Sequence, residues 1–188
     1  MTNGSTADAK FSTTSTHPKT DVQGASLPGI SVVIPAYNYS EYLPKAIDSA
    51  LLQNYPLFEV IVVDDGSTDS TPEIIRAYEG KIRSVRQTNQ GLSAARNTGI
   101  QAARFPFIAL LDADDIWQQG LLLKLALSFQ TLPKDTGIVA CNTQLIDADG
   151  NIIRSAPQLA STQPTKEITW EDLLFKNRLQ SSGLLIAQ

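Results

Sequence analysis

The chain has 188 residues, 42% of them hydrophobic and 18% charged, enough for one globular domain with a sizeable core. Its net charge is -4, and its 15 Lys and Arg are scattered, which excludes a surface built to grip nucleic acid. A single histidine, His17, and a single cysteine, Cys141, exclude an internal disulfide, Ser-His or Cys-His catalysis and histidine-rich zinc sites.

Residues 1–29 are rich in Ser, Thr, Gly, Asp and Lys and carry Pro18 and Pro28. That composition buries too little apolar surface to offset ordering, so a disordered polar leader is expected there. From Ile30 the pattern changes. Ser31-Val32-Val33-Ile34 is a short β-branched run, expected to form a buried strand that ends at Pro35. Leu43, Ala46, Ile47, Ala50 and Leu51 recur at helical spacing. Glu59-Val60-Ile61-Val62-Val63 is a second buried strand running into Asp64-Asp65-Gly66-Ser67. Asp69 or Ser70 then suits the cap of a helix with Pro72 in its first turn.

Residues 82–86 form a weaker strand, 91–103 a helix of small residues and 107–111 a third strong strand. A helix over 120–131 precedes a strand at 137–143, whose Cys141 reads as a small buried hydrophobe. Asp149-Gly150 fits a hairpin turn between Leu145-Ile146 and Ile152-Ile153. Farther on, Thr169 before Glu171 and Asp172 reads as a capped helix start. No run approaches the roughly 20 apolar residues that span a bilayer.

Strands alternating with helices predict an α/β fold with a mostly parallel sheet and helices on both faces. In such sheets ligands bind outside the carboxyl ends of the strands. Those ends carry Pro35-Ala36-Tyr37-Asn38, Asp64-Asp65-Gly66-Ser67 and Asp112-Ala113-Asp114-Asp115. The polar residues therefore converge on one edge.

Asp112 and Asp114 flank one residue at a strand end, and two such carboxylates repel unless a cation neutralises them. Hard divalent ions prefer oxygen ligands and complete their shell with phosphates and water. A metal site at Asp114 and Asp112 is therefore expected, with Asp115 supporting the following helix. Asp64 is expected to hold the Gly66-Ser67-Thr68 turn, leaving Asp65 to accept from a base N–H beside the flat ring of Tyr37. The helix opened by Gly91 presents N–H groups to an anion. Arg96, on that helix, has either a carboxylate or a phosphate as its partner.

Four stretches together resemble the family 2 glycosyltransferases of the GT-A fold: residues 32–38, 62–69, Gly91 through Gly99, and 111–115. The resemblance implies a Rossmann-like nucleotide-diphospho-sugar transferase domain over 30–188. Residues 30–116 would be its nucleotide-binding half and 117–188 the incomplete start of an acceptor half. It implies that Pro35, Ala36, Tyr37, Asn38 and Asp65 hold the nucleotide base, usually uracil, and that Gly91 and Arg96 line the pocket. Asp112 would lie near the ribose, and Asp114 would bind the Mn²⁺ or Mg²⁺ that bridges the diphosphate. The reaction implied is a metal-dependent, inverting transfer from a UDP-sugar to a saccharide, lipid-linked or other hydroxyl acceptor.

The family's usual base lies downstream of the segment matching residues 181–186, and so is expected beyond Gln188. A nucleotide-sugar-binding fragment without transfer activity is the alternative this leaves. A cytoplasmic location, with peripheral contact at the inner face of the membrane, is also implied. A third reading is a receiver-like phosphoacceptor domain with Asp112 as acceptor and Lys166 downstream. It suits the acidic spacing but not the strand and helix that come before Asp64-Asp65.

Overall fold

The structure is a computed structural model that describes residues 27–147, 150–155 and 182–187. Twelve elements follow in order: β1 (Ile30–Ala36), α1 (Leu43–Leu51), β2 (Phe58–Asp64), α2 (Thr71–Ala77), β3 (Arg83–Arg86) and α3 (Leu92–Ala102). Next come β4 (Phe107–Leu110), α4 (Leu121–Thr131), β5 (Ile138–Ala140), β6 (Gln144–Ile146), β7 (Ile152–Ser155) and β8 (Leu184–Ala187). Six strands form one sheet in the order β3-β2-β1-β4-β8-β5. The first four of these are mutually parallel, while β8 runs antiparallel to both β4 and β5.

The expected α/β architecture with a mostly parallel sheet is therefore present, and period-2 burial explains its layers. Val32 and Ile34 of β1 join Val60 and Val62 of β2 and Ala109 of β4 in a core covered by Leu43, Ala46, Ile47 and Ala50 of α1, Ile75 of α2 and Leu122 of α4. Val33 faces the other way, with Ile108 and Leu110, towards Ile100 and Ala103. On that second face Ile61 and Val63 meet Ala95 of α3. A Cβ built on Gly99 would stand 2.3 Å from Val33 Cγ1, so glycine is what lets α3 lie this close to β1.

Three details depart from the sequence reading. Pro35 lies inside β1, opposite Val63, rather than ending the strand. Its missing N–H falls on the β4 side, where pairing stops at Val33 and Leu110, so no ladder bond is lost. Leu27 is only 8% exposed and belongs to the main core. The Tyr55 hydroxyl donates to the Pro28 carbonyl at 2.5 Å, so residues 27–29 are part of the packed domain and not of a polar leader. Finally, β8 enters between β4 and β5, a strand the periodicity did not indicate. Residues 1–26, Asp149, Lys166 and the helix start at Thr169 to Asp172 lie outside the described residues. Among the described residues, no helix is long and apolar enough to cross a membrane.

Candidate functional site

The sheet order reverses at β1, since β2 and β3 extend to one side of it and β4 to the other. The crevice expected at such a switch point lies outside the carboxyl ends of β1 and β4. The loop after β1 forms one wall and the acidic turn after β4 the other.

The β1 loop is templated by the segment after β2. Three consecutive backbone N–H groups of the loop donate to side chains of that segment: Asn38 to Ser67 Oγ at 3.0 Å, Tyr39 to Thr71 Oγ1 at 3.0 Å and Ser40 to Asp69 Oδ2 at 3.1 Å. In return Asn38 Oδ1 accepts from the Thr68 and Asp69 N–H groups at 2.8 and 3.3 Å. Asn38 takes a φ of 57°, a conformation that Asn tolerates better than most residues. The Asp69 carboxyl also accepts from the Thr71 N–H at 2.9 Å. Burial opposes its ionisation, but hydrogen bonds from Thr71 and then Ser40 outweigh that and bring it down to about 2.

The predicted base-binding residues thus divide. Pro35 and Ala36 are buried in β1, and the Ala36 carbonyl accepts from the Asp65 N–H. Asn38 fastens loop to loop. Tyr37 is the side chain presented outward, 44% exposed and with no ring partner among the described residues.

Asp64 does what the sequence suggested: its Oδ1 accepts from the Ser67 N–H at 2.8 Å. Its Oδ2 pairs with Arg86 at 2.7 Å, and Arg86 donates in turn to the Ser67 carbonyl. Asp65 is 2% exposed. It accepts from Gln87 Nε2 at 2.7 Å and from the N–H groups of Gln90 and Gly91 at 2.9 and 2.8 Å. The anion facing the start of α3 is therefore the protein's own Asp65, which keeps one acceptor position of about four for anything else.

At the acidic turn, Arg96 Nη2 meets Asp112 Oδ1 at 2.6 Å, with side-chain exposures of 19% and 25%. Of the two partners left open for Arg96, the carboxylate is the one seen. It also means that Asp112 already faces a cation. Asp114 differs, because it is exposed and its hydrogen-bond neighbour among the described residues is the Tyr39 hydroxyl at 3.5 Å. The charge of Asp114 foremost, with burial second, raises the Tyr39 phenol above its ordinary value. Partial burial raises the Asp115 carboxyl, a hydrogen bond from Ser182 opposes this, and the charges of Asp114 and Asp112 add to the rise.

No group of three or more His, Cys, Asp or Glu among the described residues forms a ready-made metal cage. A nucleotide-linked Mg²⁺ or Mn²⁺ needs only one or two carboxylates, with phosphates and water completing the shell. The exposed oxygens of Asp114 fit that requirement, and those of Asp112 fit it less well because Arg96 competes for them. A separate concavity of about 380 Å³ lies between α1 and the segment after the acidic turn, lined by Leu52, Ile116 and Trp117 among others. It is mainly apolar and lacks the convergence of polar groups that marks the crevice.

Thr71, Gln87, Tyr39 and Ser182 were not singled out in the sequence, and Ser67 only as part of the turn that Asp64 was expected to hold. The repeated hydroxyls and acids of residues 66–71 were a usable signal, since such side chains seek nearby backbone. Ser182 had none.

A family model described as Glycosyl transferase family 2 matches residues 31–185. A Nostoc protein named as an uncharacterized glycosyltransferase is 39% identical over 141 residues, covering 73% of this chain and 42% of that protein. A Haemophilus influenzae protein, likewise named as an uncharacterized glycosyltransferase, is 36% identical over 165 residues, 86% of this chain and 63% of its own length. The chain thus spans less than two thirds of these relatives. Among solved structures, a mannosyltransferase from Pyrobaculum calidifontis in complex with GDP-Man and Mn²⁺ superposes with a TM-score of 0.54 at 28% identity, over 61% of this chain and 35% of that one.

Proposed function

The chain belongs to glycosyl transferase family 2, and on that premise we propose that its crevice binds the donor of a glycosyl transfer, a sugar on a nucleoside diphosphate. The observation that carries this reading is the convergence of exposed Tyr37, the Arg96–Asp112 pair and exposed Asp114 on one switch-point crevice. Tyr37 offers a flat face to a base, and Asp65 keeps one acceptor position for a base N–H. The Arg96–Asp112 pair faces the ribose, and Asp114, with Asp112 secondary, holds a divalent cation, Mn²⁺ or Mg²⁺. The mannosyltransferase neighbour carries both GDP-Man and Mn²⁺, which supports a nucleotide-diphospho-sugar donor and a cation. UDP is the first nucleotide to test.

A divalent cation, when bound, neutralises diphosphate charge and makes the nucleoside diphosphate a better leaving group. The chain's own part is to hold base, ribose and diphosphate so that the anomeric carbon is presented outward. Transfer is then a single displacement with inversion. An acceptor hydroxyl oxygen, on a saccharide, lipid-linked or other acceptor, bonds to the anomeric carbon as the bond to the diphosphate oxygen breaks. The acceptor's O–H bond breaks in the same step, and its proton passes to a base outside the described residues.

Calorimetric titration tests the donor site. UDP is expected to bind in the presence of Mn²⁺, and Asp114→Asn is expected to abolish the metal-dependent part. Undiminished Mn²⁺-dependent binding by a folded Asp114→Asn chain would remove Asp114 from the site.

A further inference from the structure

One hydroxyl that arrives from 70 residues away holds the start of the acidic turn and stands beside the carboxyl at its end. The Asp115 N–H donates to the Asp112 carbonyl at 3.1 Å, so residues 112–115 form a β-turn with Asp114 at its third position. Ser182 Oγ accepts from the Asp112 N–H at 3.2 Å. The same hydroxyl stands beside the Asp115 carboxyl and favours its ionised form. A hydroxyl has one proton and two lone pairs, so it can accept from that N–H and still offer its proton to the carboxylate.

Ser182 is itself closely fixed. It is 5% exposed. The next residue, Gly183, donates its N–H to the Leu110 carbonyl at 2.8 Å, and its own carbonyl accepts from the Cys141 N–H at 3.2 Å. The φ of Gly183 is +91°, and a Cβ there would stand 2.4 Å from Cys141 Sγ. Glycine is therefore required by both conformation and space. The backbone that delivers Ser182 is tied to the ends of β4 and β5 together.

We propose that Ser182 is a positioning residue that sets the acidic turn so that Asp114 meets the donor's cation. The proposal rests on the reading of Asp114 as a metal ligand. Ser182 touches neither donor nor cation in this scheme and acts through the two ends of the turn. Without its hydroxyl, the Asp112 N–H loses this acceptor and the Asp115 carboxylate loses this donor, which frees both ends at once. Groups that orient metal ligands in this way are worth about 10- to 100-fold in metal affinity when removed.

The test is titration of UDP into the full chain, with Mn²⁺ and with chelator, alongside amide exchange at Asp112 and Asp115. Ser182→Ala is expected to weaken Mn²⁺-dependent UDP binding about 10-fold, leave binding in chelator as in the wild type, and speed exchange at both amides. Ser182→Thr, which keeps the hydroxyl, is expected to restore most of the affinity. Asp115→Ala removes the carboxylate that faces this hydroxyl and is expected to weaken the same binding by a smaller factor. It keeps the question open to experiment if Ser182→Ala does not fold.

Unchanged Mn²⁺-dependent binding in either alanine variant would overturn the proposal, as would an equal loss with and without Mn²⁺. A wild-type chain indifferent to Mn²⁺ would overturn the metal reading of Asp114 and the positioning role with it. Faster exchange in Ser182→Ala would in that case mark the contact as a structural brace alone.

Discussion

Tyr37 stands 44% exposed at the start of a loop whose next three backbone N–H groups are all taken by side chains. Its ring is thus presented by a fixed backbone, and removing it opens no core. Stacking of a base on an aromatic ring is worth about 1–3 kcal/mol, so Tyr37→Ala is expected to weaken UDP binding about 5- to 150-fold, with Tyr37→Phe near the wild type. Calorimetry on both variants checks this; equal loss from Ala and Phe would point to the hydroxyl instead of the ring. Asp69 makes a prediction of a different kind. Its folded pKa of about 2 lies below the ordinary 3.8, so its contribution to stability is full above 3.8 and is lost as pH falls through about 2. The stability gap between wild type and Asp69→Asn should therefore narrow on acidification from 3.8 towards 2, read by urea unfolding. A constant gap would mean that the loop bonds do not depend on the charge. At this scale the sequence was partly legible. Asp64 had its partner three residues away, in reach of local turn rules. Asp65 did not, because Gln87, Gln90 and Gly91 come beside it only when β2 and β3 pair.

The elements were more legible than the contacts between them. β1, β2 and β4 are apolar runs bounded by turn residues, and α1 has a clean stripe of buried residues at Leu43, Ala46, Ile47 and Ala50. What the pattern left out was β8, four residues whose short apolar run does not distinguish strand from helix and whose neighbours in the sheet are far away in the chain. Pro35 misled for a related reason: proline forbids a ladder bond only on the side where a neighbour needs one. The approach of α3 to β1 gives the test at this scale. Gly99→Ala must push Val33 or shift the helix, since the new Cβ would lie 2.3 Å from Val33 Cγ1. Overpacking of that kind costs about 1–3 kcal/mol. Chemical denaturation is expected to show that loss, and an unchanged midpoint would mean that the helix moves away without penalty.

For the molecule as a whole, the sheet order decides where chemistry is located. Parallel strands place every carboxyl end on one edge, and the reversal at β1 opens the crevice between the β1 loop and the acidic turn. The convergence on one edge followed from the alternating elements and their end residues; the reversal at β1 is seen only in the sheet order. The division of labour among the acids did not. Asp112 and Asp114 look equivalent in sequence, and only the fold shows that α3 brings Arg96 to Asp112 while Asp114 stays exposed. The repulsion that pointed to a metal is therefore met in part by a guanidinium, and the cation's case rests on Asp114. Calorimetry of the wild-type chain with UDP, in Mn²⁺ and then in chelator, addresses that case most directly, with GDP and TDP run beside it to identify the base. Binding that appears with Mn²⁺ and disappears with chelator is the result predicted, and UDP binding of equal strength in both would contradict it.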